Sequence, residues 1–465
     1  MFESPDPDRR YRRLSLWHDT YPGSLAPRPS LPGDRQVDVA IVGAGFTGLW
    51  TAYYLKLLDP GLRIEVVERE IAGFGASGRN GGWCVAIFPA SLRRLARDAD
   101  PGRVLALQGA LDATVDEVGR VASAEGIDCR FRKGGAISVA RNHAQLTRAR
   151  DDVAAARSHG LGEDHVRLLD ATEARRRLGG SRILGATYLP HCAALDPLRL
   201  VRGLAEAVER LGVPIHEGTP VTAIGPGRVE TPLGTIRADV VVPALEGYTP
   251  DIPGRRRDIL PMYSLMVATE PLPADVLARI GLGERETFTD KRHLKIYGQL
   301  TADGRIAFGG RGAPYHFGSA VRPGFDRDDR VHRMLRDVLR DLLPALGDAR
   351  FTHAWGGNLG IPRDWYPSVG FDRRSGLAWA GGYVGDGVAT SNLAARTVAD
   401  LVLGRRSELT DLPWVGHRSP RWEPEPLRWL GVNAVTALMW AGDRLEAVTG
   451  RPAAPVRWFW RSLGH

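Results

Sequence analysis

Two short β-branched segments near the N-terminal end of the chain flank a helical pattern. Residues 37–42 form an apolar run after a Pro-Gly-Asp sequence, which is typical of a buried parallel strand. Apolar positions at helical spacing follow over residues 49–55, and this pattern ends near residues 59–61. A second apolar run, residues 63–67, ends at Glu68. This order predicts a strand–helix–strand unit.

The predicted first strand runs into a GxGxxG motif at residues 43–48. Glycine makes up 55 of the 465 residues, so about one such motif is expected by chance in this chain. Its context is more informative. In a dinucleotide-binding unit, Gly43 allows the tight turn, Gly45 lets the backbone approach the pyrophosphate, and Gly48 lets the helix pack on the strand. The helix N-terminus then faces the phosphates, and Glu68 accepts hydrogen bonds from the adenosine ribose.

Two further glycine-rich segments indicate a flavin rather than a nicotinamide. Residues 73–82 form a glycine-dense loop where an NAD-binding unit normally proceeds to another helix and strand. Near the C-terminal end, a strand at residues 376–380 enters a glycine turn at 381–387, and a helix follows over 388–403. Glycines permit close approach to a ring system, and the positive end of the helix suits a reduced flavin. The alternatives are a flexible surface loop and a generic strand–turn–helix.

Together these three motifs resemble the D-amino-acid-oxidase-like FAD superfamily, in its γ-glutamylputrescine oxidase-like and sarcosine oxidase-like branch. The likeness spans about residues 36–406. It implies an α/β fold, in which a Rossmann-like FAD-binding domain of the glutathione-reductase type carries an inserted antiparallel-sheet substrate domain. The resemblance places the discontinuous FAD-binding domain at 36–90, 195–252 and 352–406, and the α+β substrate domain at 91–194 and 253–351.

The pattern of the middle of the chain agrees with that division. Alternating strand signals at residues 134–139, 263–268 and 305–309 favour an antiparallel sheet with one wet face. An amphipathic helix is predicted over 331–343.

The resemblance also implies the residues that contact FAD. Among them, the segment around Val221 meets the adenine, and Ala244 follows the strand that returns to the dinucleotide. The full set is Gly43, Gly45, Phe46, Thr47, Gly48, Glu68, Arg69, Ser77, Gly78, Arg79, Asn80, Gly81, Gly82, Val221, Ala244, Gly357, Gly382, Gly385, Asp386, Gly387, Val388, Ala389 and Thr390.

Three positions refine what the resemblance implies. Asn80 and Gly356 stand where relatives attach the flavin through a His or a Cys, so the FAD is expected to be non-covalent. Ala389 stands where sarcosine-type relatives hold the substrate carboxylate with a Lys. A small α-amino acid held in that way is therefore not expected.

The implied reaction is oxidation of a small amine at its C–N bond to an imine that hydrolyses to an aldehyde, with O₂ as the acceptor. The pocket candidates are Lys295, Tyr297, Trp355 and Tyr383. Lys295 would place positive charge near the flavin, or it is simply an exposed strand lysine. The three aromatic residues would form pocket walls, or they are core. Asp386 would attract the amine, or it caps the helix that follows.

The amino-acid composition indicates the class of protein and the cellular compartment in which it works. Hydrophobic residues are 43% and charged residues 25% of the chain, as in an ordinary globular protein. Three cysteines give no disulfide framework, no Cys/His cluster suggests a metal site, and the N-terminus lacks an apolar leader segment. These features favour a reducing cytoplasm. The net charge of +8 is interleaved with acids, as in residues 325–330, which disfavours nucleic-acid binding.

Three other functions stay open at this stage. The enzyme could be a dehydrogenase that passes electrons to a quinone or carrier protein, a flavoprotein with structural FAD, or a nucleic-acid-modifying protein. Residues 407–465 extend beyond the family core, with a helix predicted over 427–448 and an aromatic, basic segment at 456–461. This extension could attach to a membrane surface, or it could pack on its own protein or on a second subunit. Packing on protein is favoured. The pattern does not predict the oligomeric state.

Overall fold

The computed structural model describes residues 7–462. The first six residues of the predicted leaderless N-terminus and residues 463–465 of the C-terminal extension lie outside the described residues. The side chains at positions 7 and 460–462 lie outside them as well.

The described residues form strands in two large sheets and one small pair. In chain order the strands are β1 Arg35–Val42, β2 Ile64–Val67, β3 Trp83–Val85, β4 Ala136–Ala140, β5 Arg167–Leu169, β6 Gly185–Leu189, β7 Cys192–Ala194, β8 Ile215–His216, β9 Ala223–Gly225, β10 Arg228–Thr231, β11 Gly234–Pro243, β12 Leu260–Thr269, β13 Thr287–Asp290, β14 Ile296–Leu300, β15 Ile306–Gly310, β16 Phe351–Ile361, β17 Ser368–Asp372 and β18 Leu377–Gly381.

Helices cover these sheets. In chain order the α-helices of residues 7–462 are α1 Pro7–Arg12, α2 Leu16–Asp19, α3 Phe46–Leu58, α4 Ala76–Arg79, α5 Leu92–Asp98, α6 Pro101–Ala124, α7 His143–Ser158, α8 Ala171–Arg177, α9 Pro197–Arg210, α10 Ala274–Ile280, α11 Asp329–Leu342, α12 Gly387–Val402, α13 Leu427–Thr449 and α14 Ala454–Ser462.

The first sheet is built around the predicted strand–helix–strand unit, which is confirmed as β1, α3 and β2. Its strand order is β17-β18-β11-β1-β2-β8, with the β9–β10 hairpin attached to β11. β1 runs parallel to β11 and β2, and β2 runs parallel to β8. Alternate side chains of β1 enter two different cores: Val39 and Ile41 pack on the side of α3, α9 and α12, and Ala40 and Val42 pack on the opposite side. Burial on both faces explains why the second half of β1, residues 39–42, is a continuous apolar run.

The helix α9 begins directly after the β7 strand and a short Leu-Asp link. Pro197 occupies its first turn, where a missing N–H costs nothing. The Asp196 side chain caps it by accepting from the N–H groups of Leu198 and Arg199, both at 3.1 Å.

The second sheet has the strand order β16-β12-β15-β14-β13-β4-β6-β5. It is antiparallel except for the β13–β4 pair. The expectation of one wet face is wrong. β4 and β15 are buried along their whole length, because α7, α8 and α11 cover one face while the other face turns toward the first domain.

Two segments lie in a different domain from the one predicted for them, one because of its strand pairing and one because of its helix packing. β16, assigned to the FAD-binding domain from residue 352, pairs along its whole length with β12 of the second sheet. Helix α6, assigned to the substrate domain, packs its apolar face into the core of the first domain and contacts α12. Local pattern did not indicate either placement, because both depend on partners distant in the chain.

The C-terminal extension forms α13 and α14, and α13 contacts α7 and the segments around residues 293–294 and 315. The two helices approach closely, since a Cβ built on Gly442 would lie 2.4 Å from Val456 Cγ2. Within residues 7–462, no helix combines the length and apolar character needed to cross a bilayer.

Candidate active site

The turn after β1 opens a cleft that is lined mainly by residues of the first domain. Gly43 has a φ of +109°, and a Cβ built there would lie 2.6 Å from the carbonyl oxygen of Ala244. A Cβ on Gly48 would lie 2.0 Å from the carbonyl oxygen of Gly43. Glycine is therefore required at both positions, the first by conformation and the second by close helix packing.

The N-terminus of α3 faces this cleft. The Phe46 N–H donates to Ser77 Oγ at 2.9 Å, whereas the amides of Gly45 and Thr47 have no acceptor among the described residues. Unpaired amides and the positive helix end form an anion site. Ser77 belongs to α4, so the segment predicted as a loop contains one helical turn.

Glu68 closes the same turn. Its carboxylate accepts the N–H of Ala44 at 2.9 Å and that of Glu70 at 3.0 Å. Burial raises its pKa above the usual value for a glutamate. Its contact with a ribose stays a prediction.

The late glycine turn forms the other wall of the cleft. Gly382 and Gly385 have φ values of +78° and +106°, and Val384 adopts +57° between them. The turn is held by Glu246, whose carboxylate accepts the N–H groups of Gly382 at 2.9 Å and Tyr383 at 3.1 Å. Burial raises the pKa of Glu246 to about 7. Sequence analysis missed Glu246 as a site residue; its position just after β11 was the available signal.

The predicted cofactor residues divide into two sets. Those that line the cleft are Gly43, Gly45, Phe46, Thr47, Glu68, Arg69, Ser77, Asn80, Val221, Ala244, Gly385, Gly387 and Val388. Those that lie behind or beside it are Gly48, Gly78, Arg79, Gly81, Gly82, Gly357, Gly382, Asp386, Ala389 and Thr390.

Arg79 belongs to the second set because protein groups already surround it. Its guanidinium pairs with Asp326 at 3.1 Å and donates to Tyr248 Oη at 3.0 Å. It also lies over the ring of Phe74. Tyr248 and Phe74 do line the cleft, so Arg79 supports the wall rather than forming it.

The aromatic candidates occupy three different environments. Trp355 lies in the core: it is 1% exposed, and its Nε1–H donates to the carbonyl of Arg79 at 2.9 Å. Tyr383 lines the cleft, and its Oη lies 3.0 Å from Thr47 Oγ1. Tyr297 lies beside the cleft.

Tyr297 is packed tightly by small neighbours. A Cβ built on Gly81 or Gly309 would lie 2.6 Å from its ring. Its Oη lies 2.7 Å from Ser264 Oγ. These contacts fix the ring at the boundary between the second sheet and the glycine-dense segment.

Three charged side chains gather at the glycine turn. Arg311 Nη2 donates to the carbonyl of Val384 at 2.6 Å, and the charges of Arg311 and Lys295 act on Asp386. Burial nevertheless raises the pKa of Asp386 to about 6. Asp386 makes no side-chain bond to α12, so the capping alternative is not what the structure shows.

Asp386 and Lys295 are available to a ligand. Among the described residues, neither the Asp386 carboxylate nor Lys295 Nζ has a hydrogen bond or an ion pair within 4.0 Å. Lys295 is exposed and directly precedes β14, so the structure agrees with the alternative of an exposed lysine. Sequence analysis missed Arg311, since only the fold brings the end of β15 to this turn.

The cleft has the features that a flavin dinucleotide requires. It combines the free amides of α3, a half-buried acid at the end of β2 and a glycine turn at the start of α12. Asn358 also lines it, and its Oδ1 is buried without a partner among the described residues. No described histidine or cysteine lines the cleft, so the residues fit a cofactor held without a covalent bond.

Comparison with known proteins agrees with this geometry. The family model for DAO, FAD-dependent oxidoreductase, matches residues 38–401. A probable oxidoreductase OrdL of Rhizobium meliloti (strain 1021) is 33% identical, over 85% of this chain and 90% of the relative. The gamma-glutamylputrescine oxidoreductase of Escherichia coli (strain K12) is 31% identical, over 84% of this chain and 89% of the relative.

A solved structure shows the same fold. Glycine oxidase from Geobacillus kaustophilus superposes with a TM-score of 0.68 at 23% identity, covering 83% of this chain and 100% of that one.

Proposed function

This chain belongs to the DAO family of FAD-dependent oxidoreductases, and we propose that it oxidises the C–N bond of an extended amine, γ-glutamylated or polyamine-derived. The observation that carries the proposal is the group of separated charges at the glycine turn. Asp386 offers an unpaired carboxylate, and Lys295 and Arg311 offer cations close to it. A substrate that carries both an amine and a distal carboxylate is complementary to this arrangement.

Two further observations support an extended substrate. Ala389 is fully buried in α12 and offers no cation to hold the carboxylate of a small α-amino acid. One relative, 31% identical, is named for a γ-glutamylated diamine.

In the reaction, bound FAD supplies the two-electron acceptor for the C–H bond beside the amine nitrogen. The substrate amine loses two electrons and two protons to become an imine, and water then converts the imine to an aldehyde and a released amine or ammonia. Asp386 holds the arriving ammonium group near the turn. Tyr383 and Tyr297 bound the space and limit access of water.

O₂ is the proposed acceptor, reduced by two electrons to hydrogen peroxide. Lys295 places a positive charge near Asp386 and the glycine turn, where it favours the formation of negative charge on oxygen. Consumption of O₂ with equimolar peroxide would support this. Reduction by substrate without O₂ consumption would favour the dehydrogenase alternative.

The decisive experiment is anaerobic bleaching of the visible absorbance of the bound flavin. The panel comprises putrescine, γ-glutamylputrescine, sarcosine and D-alanine. We expect rapid bleaching by γ-glutamylputrescine or a closely related extended amine. If no amine bleaches the flavin while dithionite does, amine oxidation is excluded and a structural flavin is favoured.

The role of Asp386 is tested with an isosteric variant. Asp386→Asn should raise the Kd of the extended amine by about tenfold, which corresponds to about 1.4 kcal/mol. Asp275→Asn makes the same chemical change on a carboxylate whose side chain is 75% exposed in α10, and it should leave the Kd unchanged. Equal Kd values for the two variants would remove Asp386 from the binding site.

A further inference from the structure

The first half of α13 turns its polar side chains toward the protein. Arg428 is 4% exposed and donates to Glu425 at 2.9 Å. Asn433 Nδ2 donates to the carbonyl of Tyr315 at 3.2 Å. These contacts attach the start of the helix by its polar side.

The second half is attached in the same way. The Asp443 carboxylate accepts the N–H of His293 at 2.7 Å and that of Leu294 at 2.9 Å. Glu446 is 1% exposed and receives two hydrogen bonds from the Arg148 guanidinium, at 2.9 and 2.6 Å. These polar contacts fix the rotation of α13 about its axis.

The outward side of the same helix is apolar. Exposed apolar residues recur every three or four positions along it, at Leu427, Leu430, Ala434, Ala437, Ala441, Leu445 and Val448. The largest exposures are 62% for Leu427, 53% for Leu430 and 87% for Val448. The inward side also contains apolar residues, since Met439 is 5% exposed and Val435 and Leu438 pack beside it. The helix α13 is therefore apolar on both sides, and only the inward apolar residues are covered by protein. A continuous apolar face directed at solvent marks a docking surface.

The charges around this face identify its partner. Arg444, Arg451 and Arg457 are exposed. The acidic residues of 427–459, Asp443 and Glu446, are both engaged inward. The outward side of this segment therefore carries positive charge without exposed carboxylates, which complements anionic lipid headgroups.

Exposed tryptophans occur beside the apolar face. Trp429 and Trp440 are each 39% exposed, and Trp458 of α14 is 72% exposed. Tryptophan side chains partition to the boundary between headgroups and acyl chains, since one end of the ring is apolar and the other carries an N–H.

We propose that α13 and the start of α14 form a membrane-docking surface, which lies in the plane of an anionic bilayer with the Leu430 side in the acyl boundary. No described helix can cross a bilayer, so the attachment is interfacial. A second copy docked through the same face is a poorer partner, because this face would bring a second set of exposed arginines and no exposed carboxylate. This attachment is independent of the substrate.

The test uses the full FAD-loaded chain and two kinds of vesicle, pure phosphatidylcholine and a mixture with one quarter phosphatidylglycerol. We expect the bound fraction to rise at least about tenfold on the anionic vesicles and to fall as salt increases. Tryptophan emission should shift to shorter wavelength on binding, because exposed indoles leave water.

Two variants locate the surface. The double variant Leu430→Asp, Val448→Asp should abolish vesicle binding. Leu233→Asp, at a leucine 44% exposed in the β10–β11 hairpin, removes a similar exposed side chain and should bind normally. The flavin absorbance spectrum of each variant reports that it is folded.

A third variant tests the electrostatic part. Neutralising the outward cations with Arg444→Gln, Arg451→Gln and Arg457→Gln together should remove the preference for anionic vesicles. Absence of binding to either vesicle would overturn the proposal. A dimer in solution that the Leu430→Asp, Val448→Asp variant dissociates, without vesicle binding, would overturn it in favour of an interface between copies.

Discussion

The Gly43→Ala substitution places a methyl group where the structure has no room for one. Gly43 has a φ of +109°, and the added Cβ would lie 2.6 Å from the carbonyl oxygen of Ala244. Both residues directly follow paired strands, since β1 and β11 are in parallel register up to Val42 and Pro243. Neither backbone can move without disturbing that pairing.

The structure sets the size of the effect. An alanine forced into this backbone conformation costs about 1–3 kcal/mol, and overpacking adds a further cost of about 1–3 kcal/mol. The variant should therefore lose about 2–6 kcal/mol in the folded conformation that the cofactor requires. If the turn relaxes when FAD is absent, binding of FAD must restore the strained conformation, and the cost appears as reduced affinity. The Kd for FAD should then rise at least about 30-fold. If the turn stays strained, the thermal midpoint should fall instead.

Fluorescence titration of the apoprotein with FAD, together with thermal unfolding of the same preparation, measures both outcomes. Gly109→Ala is the matched control, because a Cβ there meets nothing within 4 Å in the middle of α6. That change should stabilise the protein by about 0.5–1 kcal/mol. A Gly43→Ala protein with wild-type affinity and wild-type midpoint would refute the reasoning.

Three other predictions follow from buried charges. Burial raises the pKa of Glu246 to about 7, so the folded state favours the neutral form of this side chain. The stability of the fold should therefore decline as the pH rises through that value. Glu246→Gln should flatten a plot of the thermal midpoint against pH. The pKa of Asp386 is about 6, so amine binding should weaken as the pH falls below it, and Asp386→Asn should remove this pH dependence from the measured Kd. Arg148→Leu leaves Glu446 buried without its guanidinium partner and should cost about 3 kcal/mol in unfolding free energy, whereas Arg148→Lys should retain most of the stability in a denaturant titration.

The local sequence pattern was sufficient to predict an element wherever its structure depends only on its own residues and on their neighbours in the chain. The sequence pattern predicted β1, the glycine turn and α3. A strand buried on both faces is rich in apolar residues, and a tight turn requires glycine, so both can be recognised from the amino acids present. The positions of α11 and α12 followed from helical spacing to within two residues. The family was recognised on the same glycine-rich segments that line the cleft.

The failures arose where distant residues decide burial. Trp355 was a candidate for the pocket wall, but Trp17 and Arg79 enclose it from other parts of the chain. The second sheet was expected to have a wet face, but helices far along the chain cover it. Glu246 and Arg311 were missed because their partners lie 136 and 73 positions away.

The sequence by itself determined the cofactor class, since a dinucleotide site depends on glycines and an acid at fixed spacing within one folding unit. It also determined that residues 427–448 would be helical. Only the tertiary structure decided which side of that helix faces outward, because the hydrogen bonds of Asp443 join it to residues 293–294 and the ion pair of Glu446 joins it to Arg148. Apolar residues lie on both sides of α13, so helical spacing alone does not choose between them. The partners of Asp443 and Glu446 determine which side is left to the solvent.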